Sequence, residues 1–142
     1  MEMNALDWTP FRKAFPIISG EWNKWWSVGE GWFQLMWELG EALEAIARRS
    51  QDEGKPLMRI VQVKEKFGGL RCYLDHAPDE AIALTQAASI RSGAICEACG
   101  KPGNPCTSSR GWRKTLCPYH ELILGYTTRV ETFRQLTDRP GC

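Results

Sequence analysis

CEACGKPGNPCTSSRGWRKTLCPYH, residues 96–120, decides how this chain is read. Cys96 and Cys99 are separated by two residues and followed by a glycine. Cys117 and His120 repeat that spacing, with 17 residues between the two pairs. Two chelating pairs at this separation supply the four sulfur and nitrogen ligands that a tetrahedral zinc ion takes. Pro118 suits a first helical position, so the second pair falls at a helix start, where the positive end of the dipole favours a thiolate. The first pair lies in a glycine-bearing turn whose amides can point at the sulfurs. Four protein ligands close the site, whereas a catalytic zinc keeps one position for water, so the expected role is structural.

Other uses of these residues fit less well. A redox C-x-x-C sits at a strand-to-helix junction in a βαβ setting, but Cys96 follows a predicted helix and precedes a Pro/Gly loop. A disulfide framework belongs to oxidising compartments. The N-terminus lacks the basic start and apolar stretch of a secretory signal, and no run approaches the ~20 apolar residues of a membrane span. The expectation is a cytoplasmic protein with no membrane partner. Cys106, in the loop KPGNPCTSSRGW, is the rival ligand and is expected to be a free loop thiol. Cys72 alternates onto an apolar strand face as a small core residue. Cys142 is terminal.

The order knuckle, hairpin, helix resembles a treble-clef zinc finger. Some treble clefs are nucleases with a catalytic histidine on the hairpin, but no histidine lies between Cys99 and His120. The deaminase H-x-E is absent too, since Ala77 and Pro78 follow His76. His76 itself reads as a solvated turn residue. The chain is therefore expected not to be an enzyme, with no catalytic residues.

Outward from the clamp, 142 residues suit one domain or one domain with an appendage. The division expected is a helix and hairpin core with a Trp-rich N-terminal segment over 1–94, and a zinc module with C-terminal helices over 95–142. The opening stretch is broken by Pro10, Pro16 and Gly20. Trp32, Leu35, Met36, Leu39, Leu43 and Ile46 recur at helical spacing and predict a long helix from Gly31 to Arg49, with Glu44 and Arg48 as an i,i+4 pair. Residues 57–75 read as a β-hairpin whose turn is Gly68-Gly69. A helix is expected from Pro78 to about Ser92 and a short one after Cys117. A last helix near 129–137 is expected from the Thr128/Glu131 capping-box spacing and a stripe of Tyr126, Val130 and Phe133. The fold class is α+β: helices packed on a β-hairpin, joined to a treble-clef-like zinc module.

The net charge of +1 is uninformative, but its distribution is not. Residues 1–90 carry 10 basic and 13 acidic side chains, and residues 91–142 carry 8 and 4. No acid lies between Glu97 and Glu121, where Lys101, Arg110, Arg113 and Lys114 accompany Trp112. A basic loop with an aromatic could touch phosphates and stack a base, and Lys64, Lys66 and Arg71 around the hairpin turn could extend it. The plainer alternative is that these cations offset the charge of the thiolates and keep a hairpin edge soluble. Six of seven tryptophans precede residue 38. They form either an aromatic core or a surface for a partner centred on Trp22, Trp25 and Trp26.

VGEGWFQLMWEL, IVQVKEKFGGLRCYLD, CEACGKPG and GWRKTLCPYH together are similar to a family of small zinc-finger-like proteins of tailed bacteriophages and prophages. The likeness covers roughly residues 28–120 and matches the family's knuckle and closing motif at Cys96, Cys99, Cys117 and His120. Cys72 stands where the family more often has an aromatic. The resemblance implies a setting more than an activity: an accessory protein in the bacterial cytoplasm with structural zinc, binding another macromolecule. A host protein such as a defence or takeover target is the first expectation, and DNA or RNA held by the 101–114 loop is the alternative.

Overall fold

The computed structural model describes residues 3–21 and 26–128, an α+β arrangement of helices and two small sheets. Helices α1 (Thr9–Ala14) and α2 (Pro16–Ser19) each carry a proline in their first two positions, where its missing N–H has no helical partner to lose. Elements this short do not persist alone. They are held by burial of Phe11, Phe15 and Ile18, and by Glu44, whose buried carboxylate accepts the Ile17 and Ile18 amides at 3.1 and 3.0 Å. Arg48 does approach Glu44, at 3.8 Å, but the carboxylate mainly caps a helix distant in sequence.

Strand β1 (Trp26–Ser27) and a single 3-10 turn (Glu30–Trp32) lead into α3 (Phe33–Asp52). This helix buries Leu35, Met36, Leu39, Leu43, Ile46 and Ala47 and runs three residues beyond the expected stop at Arg49. β2 (Arg59–Lys66) and β3 (Gly69–Asp75) form the expected antiparallel hairpin. β1 adds to β2 in parallel, pairing Trp26 with Val63, so α3 is the crossover between two parallel neighbours. Nothing in a two-residue strand announces that pairing locally.

The hairpin turn lies one residue earlier than expected. Phe67 (φ 54°) and Gly68 (φ 85°) are its centre, and Gly69 is the first residue of β3. Positive φ at both central positions is the type I′ pattern that fits the strand twist. Helix α4 (Asp79–Ser92) packs on β3 and α3, with Pro78 just outside its first turn rather than inside it.

The second sheet has the order β5-β4-β6, from β4 (Asn104–Ser108), β5 (Arg113–Leu116) and β6 (Tyr126–Thr128). Helix α5 (Pro118–Leu124) connects β5 to β6. Cys106 is not a loop thiol. It is buried in β4, with its Sγ 3.3 Å from the Lys114 carbonyl. Tyr126 and Thr128 belong to β6, and the Thr128 hydroxyl bonds to Glu121 at 2.5 Å. The expected helix at 129–137, and Cys142, lie outside the described residues.

Two hydrophobic clusters result. The larger gathers α1 to α4 and the first sheet around fully buried Trp32, with Trp8 and Trp37 packed against it. Trp26 is buried there too, its ring 5.2 Å from Trp8 in an edge-to-face contact, so it is core and not partner surface. Trp22 and Trp25 lie outside the described residues. The smaller cluster is Cys96, Ala98, Cys106, Leu116 and Cys117.

Candidate metal centre and the adjoining hairpin tips

Local backbone geometry delivers the four ligands. The turn at 96–100 is closed by the Gly100 amide on the Cys96 carbonyl and the Cys96 amide on the Lys101 carbonyl, both at 2.8 Å. Cys117 is the residue before the first turn of α5, and His120 lies within that turn. The β4–β5 hairpin brings the ends of the motif together. The ligand atoms of Cys96, Cys99, Cys117 and His120 all lie within 4.8 Å of one another. Cys99 Sγ to Cys117 Sγ is 3.7 Å, Cys96 Sγ to His120 Nδ1 is 3.7 Å, and Cys117 Sγ to His120 Nδ1 is 3.3 Å. A tetrahedral ion about 2.3 Å from sulfur and about 2.0 Å from nitrogen sets ligand separations of about 3.5–3.8 Å, close to those of the three pairs, so the residues could hold a metal ion.

The thiol chemistry agrees. Burial raises the Cys99 thiol, and the neighbouring Cys96 and Cys117 sulfurs add to this, taking it to about 11. Burial also works to raise Cys117, but bonds from the His120 backbone and ring, with Cys99 and Cys96, outweigh it and bring it down to about 6. Four groups crowd one point, and the Cys117 thiol is drawn down while the Cys99 thiol is pushed up. A divalent cation resolves that conflict by stabilising every thiolate together.

The knuckle rests on a seat made by the VGEGW stretch. The Gly31 amide donates to the Glu97 carbonyl at 2.8 Å, and Trp32 Nε1 donates to the Ile95 carbonyl at 2.9 Å. The approach at Gly31 is so close that a Cβ there would lie 2.2 Å from the Cys96 carbonyl oxygen. Glu97, between the two cysteines, is 2% exposed and completes the joint. It accepts the Gly29 amide at 2.9 Å and the Lys114 ammonium at 3.1 Å, and Lys114 reaches Glu65 at 3.1 Å as well. Burial works against the Lys114 ammonium, but Glu97 and Glu65 outweigh it and hold its pKa above the ordinary lysine value. That stabilisation is complete at neutral pH and fades only as pH rises through the alkaline lysine range.

Lys114 is thus a structural cation, 21% exposed in its side chain, and not a free contact for phosphate. Replacing Glu97 by alanine leaves the buried Gly29 amide without its acceptor and Lys114 with Glu65 alone. The expected loss is about 2–3 kcal/mol, read as a lower denaturant midpoint at unchanged slope, with Glu65→Ala costing less. Sequence reasoning missed Glu97, although an acid inside an otherwise basic window was its signal.

The remaining cations separate. Arg71 is engaged with Ser89 Oγ at 2.9 Å and the Leu70 carbonyl at 3.1 Å, and Lys64 lies 5.7 Å from the Tyr73 ring centre. Lys101 is exposed beside the knuckle. Lys66, Arg110 and Arg113 converge with Trp112 where the tips of the two hairpins meet. His76 is exposed on the turn after β3, 3.7 Å from Asp75. No helix among the described residues is long and apolar enough to cross a membrane. No protein-family model, curated protein or solved structure matches the chain, so its role is argued from these sites.

Proposed function

We propose that the chain is a non-enzymatic binding protein whose closed zinc site, in a treble-clef-like module, holds a basic hairpin against a helical core. The single observation that carries this reading is the Cys3His cluster, with three sulfurs and one imidazole nitrogen within 4.8 Å. Thiolate and imidazole in a tetrahedral set favour zinc, and a fully protein-ligated ion leaves no position for an activated water. The resemblance to phage and prophage zinc-finger-like proteins supports an accessory role in a bacterial cytoplasm.

The partner is the open element. A host protein was favoured by the N-terminal tryptophans, but Trp26 and Trp32 are core and Trp8 and Trp37 pack on it, which leaves Trp22 and Trp25 to support that reading. Nucleic acid is favoured by the basic, aromatic surface at the hairpin tips. Elemental analysis of freshly purified protein is expected to give one zinc per chain. Protein without metal, yet with its second sheet formed, would remove the basis of the proposal.

A further inference from the structure

A cleft of about 700 Å³ opens between the β2–β3 turn and the β4–β5 turn. Its walls carry two of the most exposed large rings among the described residues, Phe67 at 65% and Trp112 at 66%. Lys66 Nζ lies 5.7 Å and the Arg113 guanidinium 5.6 Å from the centre of the Phe67 ring. Arg110 stands beside Trp112 on the opposite turn. None of these three cations has an ion pair among the described residues. The acid in the lining, Glu65, is engaged by Lys114, which it shares with Glu97, and by the Gly68 amide at 2.8 Å.

Two features make this a built cleft and not a chance gap. The tips are bolted together: Thr115 Oγ1 donates to the Gly68 carbonyl at 2.8 Å, and a Cβ on Gly68 would lie 3.1 Å from the Lys114 backbone. Gly68 therefore seats the first hairpin on β5. Phe67, beside it, takes a φ of 54°, where asparagine or glycine is at ease and a bulky ring is not. The fold asks for this turn but not for a phenylalanine in it, and the ring is left exposed with Lys66 and Arg113 near its face. Strain of this kind points to use.

We infer that this cleft binds single-stranded nucleic acid, with a base stacked on Phe67 or Trp112 and flanking phosphates held by Lys66, Arg110 and Arg113. Planar rings of any base suit an exposed aromatic face, and a duplex keeps its bases stacked on each other and unavailable. The cations supply the complementary charge for phosphate. The inference rests on the proposed binding role and names its ligand.

The test is fluorescence anisotropy of labelled oligothymidylate and oligouridylate of about ten nucleotides, a length within the range such sites cover. Both are run against the zinc-loaded chain, with a duplex as comparison. The single strands should bind more tightly than the duplex, and the difference between them decides between DNA and RNA. Three phosphate contacts give a slope of about −2 for log affinity against log salt. Phe67→Asn and Trp112→Ala should each weaken binding about tenfold, and Arg113→Glu should weaken it and flatten the salt slope. Lys101→Glu, outside the cleft, should leave binding near the parent value. Phe67→Asn also relieves the turn, so its melting temperature should equal or exceed the parent's, which separates lost binding from lost folding. Undetectable binding at low salt, or binding indifferent to Phe67 and Trp112, overturns the inference. So does capture of an acidic protein that needs both rings while the oligonucleotide isotherms stay flat. In each of these cases one zinc per chain in the same samples would leave the broader proposal standing, and only absence of metal would remove both.

Discussion

On the proposed zinc reading, Cys117→Ser is expected to leave the chain without metal and to unfold the second sheet and α5. The reason is the size of the core that the ion supports. The cluster beside the candidate metal site has five buried residues, three of them cysteines, far too little apolar surface to hold three strands and a helix. Zinc bound by such ligand sets supplies about 10 kcal/mol or more at neutral pH, and that binding energy is folding energy. Elemental analysis should fall from one zinc per chain to none. Amides of 104–124 should lose their exchange protection, while those of α3, β2 and β3, which have their own core, keep more of theirs. Protection retained in the second sheet of the metal-free variant would show that its packing suffices alone.

Gly31→Ala carries the second large effect, by a different route. The added methyl would lie 2.2 Å from the Cys96 carbonyl oxygen, 2.5 Å from the Glu97 carbonyl oxygen and 2.6 Å from the Cys99 amide. All three are backbone atoms of the turn that presents two ligands, so no side chain can swing aside. The turn must lift from its seat, losing the Gly31–Glu97 and Trp32–Ile95 hydrogen bonds. A cost of about 3 kcal/mol or more is expected, at the upper end for overpacking. Thermal melts should show it directly. Competition with a chromophoric chelator should show weaker zinc retention, because the ligand turn and its seat are one joint. A melt and a zinc affinity matching the parent's would mean that the two backbones yield independently.

These contrasts also explain what was legible in the sequence. The clustering of Cys96, Cys99, Cys117 and His120 could be read because both pairs are local and their spacing is chemical. The long helix and the first hairpin could be read because periodicity is local as well. β1 and β6 could not, because each depends on a partner distant in sequence. The strand setting of Cys106 has a near partner in Lys114, but the Pro- and Gly-rich composition of the segment reads as loop. The tip turn was misplaced by one residue because two adjacent glycines offered two registers. Only contact with β5 selects the one that puts Gly68 on the Lys114 backbone and forces Phe67 into positive φ. Lys114 looked like a binding residue for a similar reason: both of its carboxylates come from elsewhere, one 49 and the other 17 residues away.

The glycine seat has a consequence for how the chain is made. A protein emerges from the ribosome N-terminus first. Gly29 is translated 68 residues before the glutamate whose carboxylate it holds. The helix behind the seat and the hairpin beside it are synthesised before Cys96 appears. The residues that receive the knuckle are therefore made before the knuckle itself. On the proposed metal reading, a four-point grip can close only after His120 has been made, and a nascent chain stalled or cut before Cys117 would carry the seat and the first cysteine pair without the second pair.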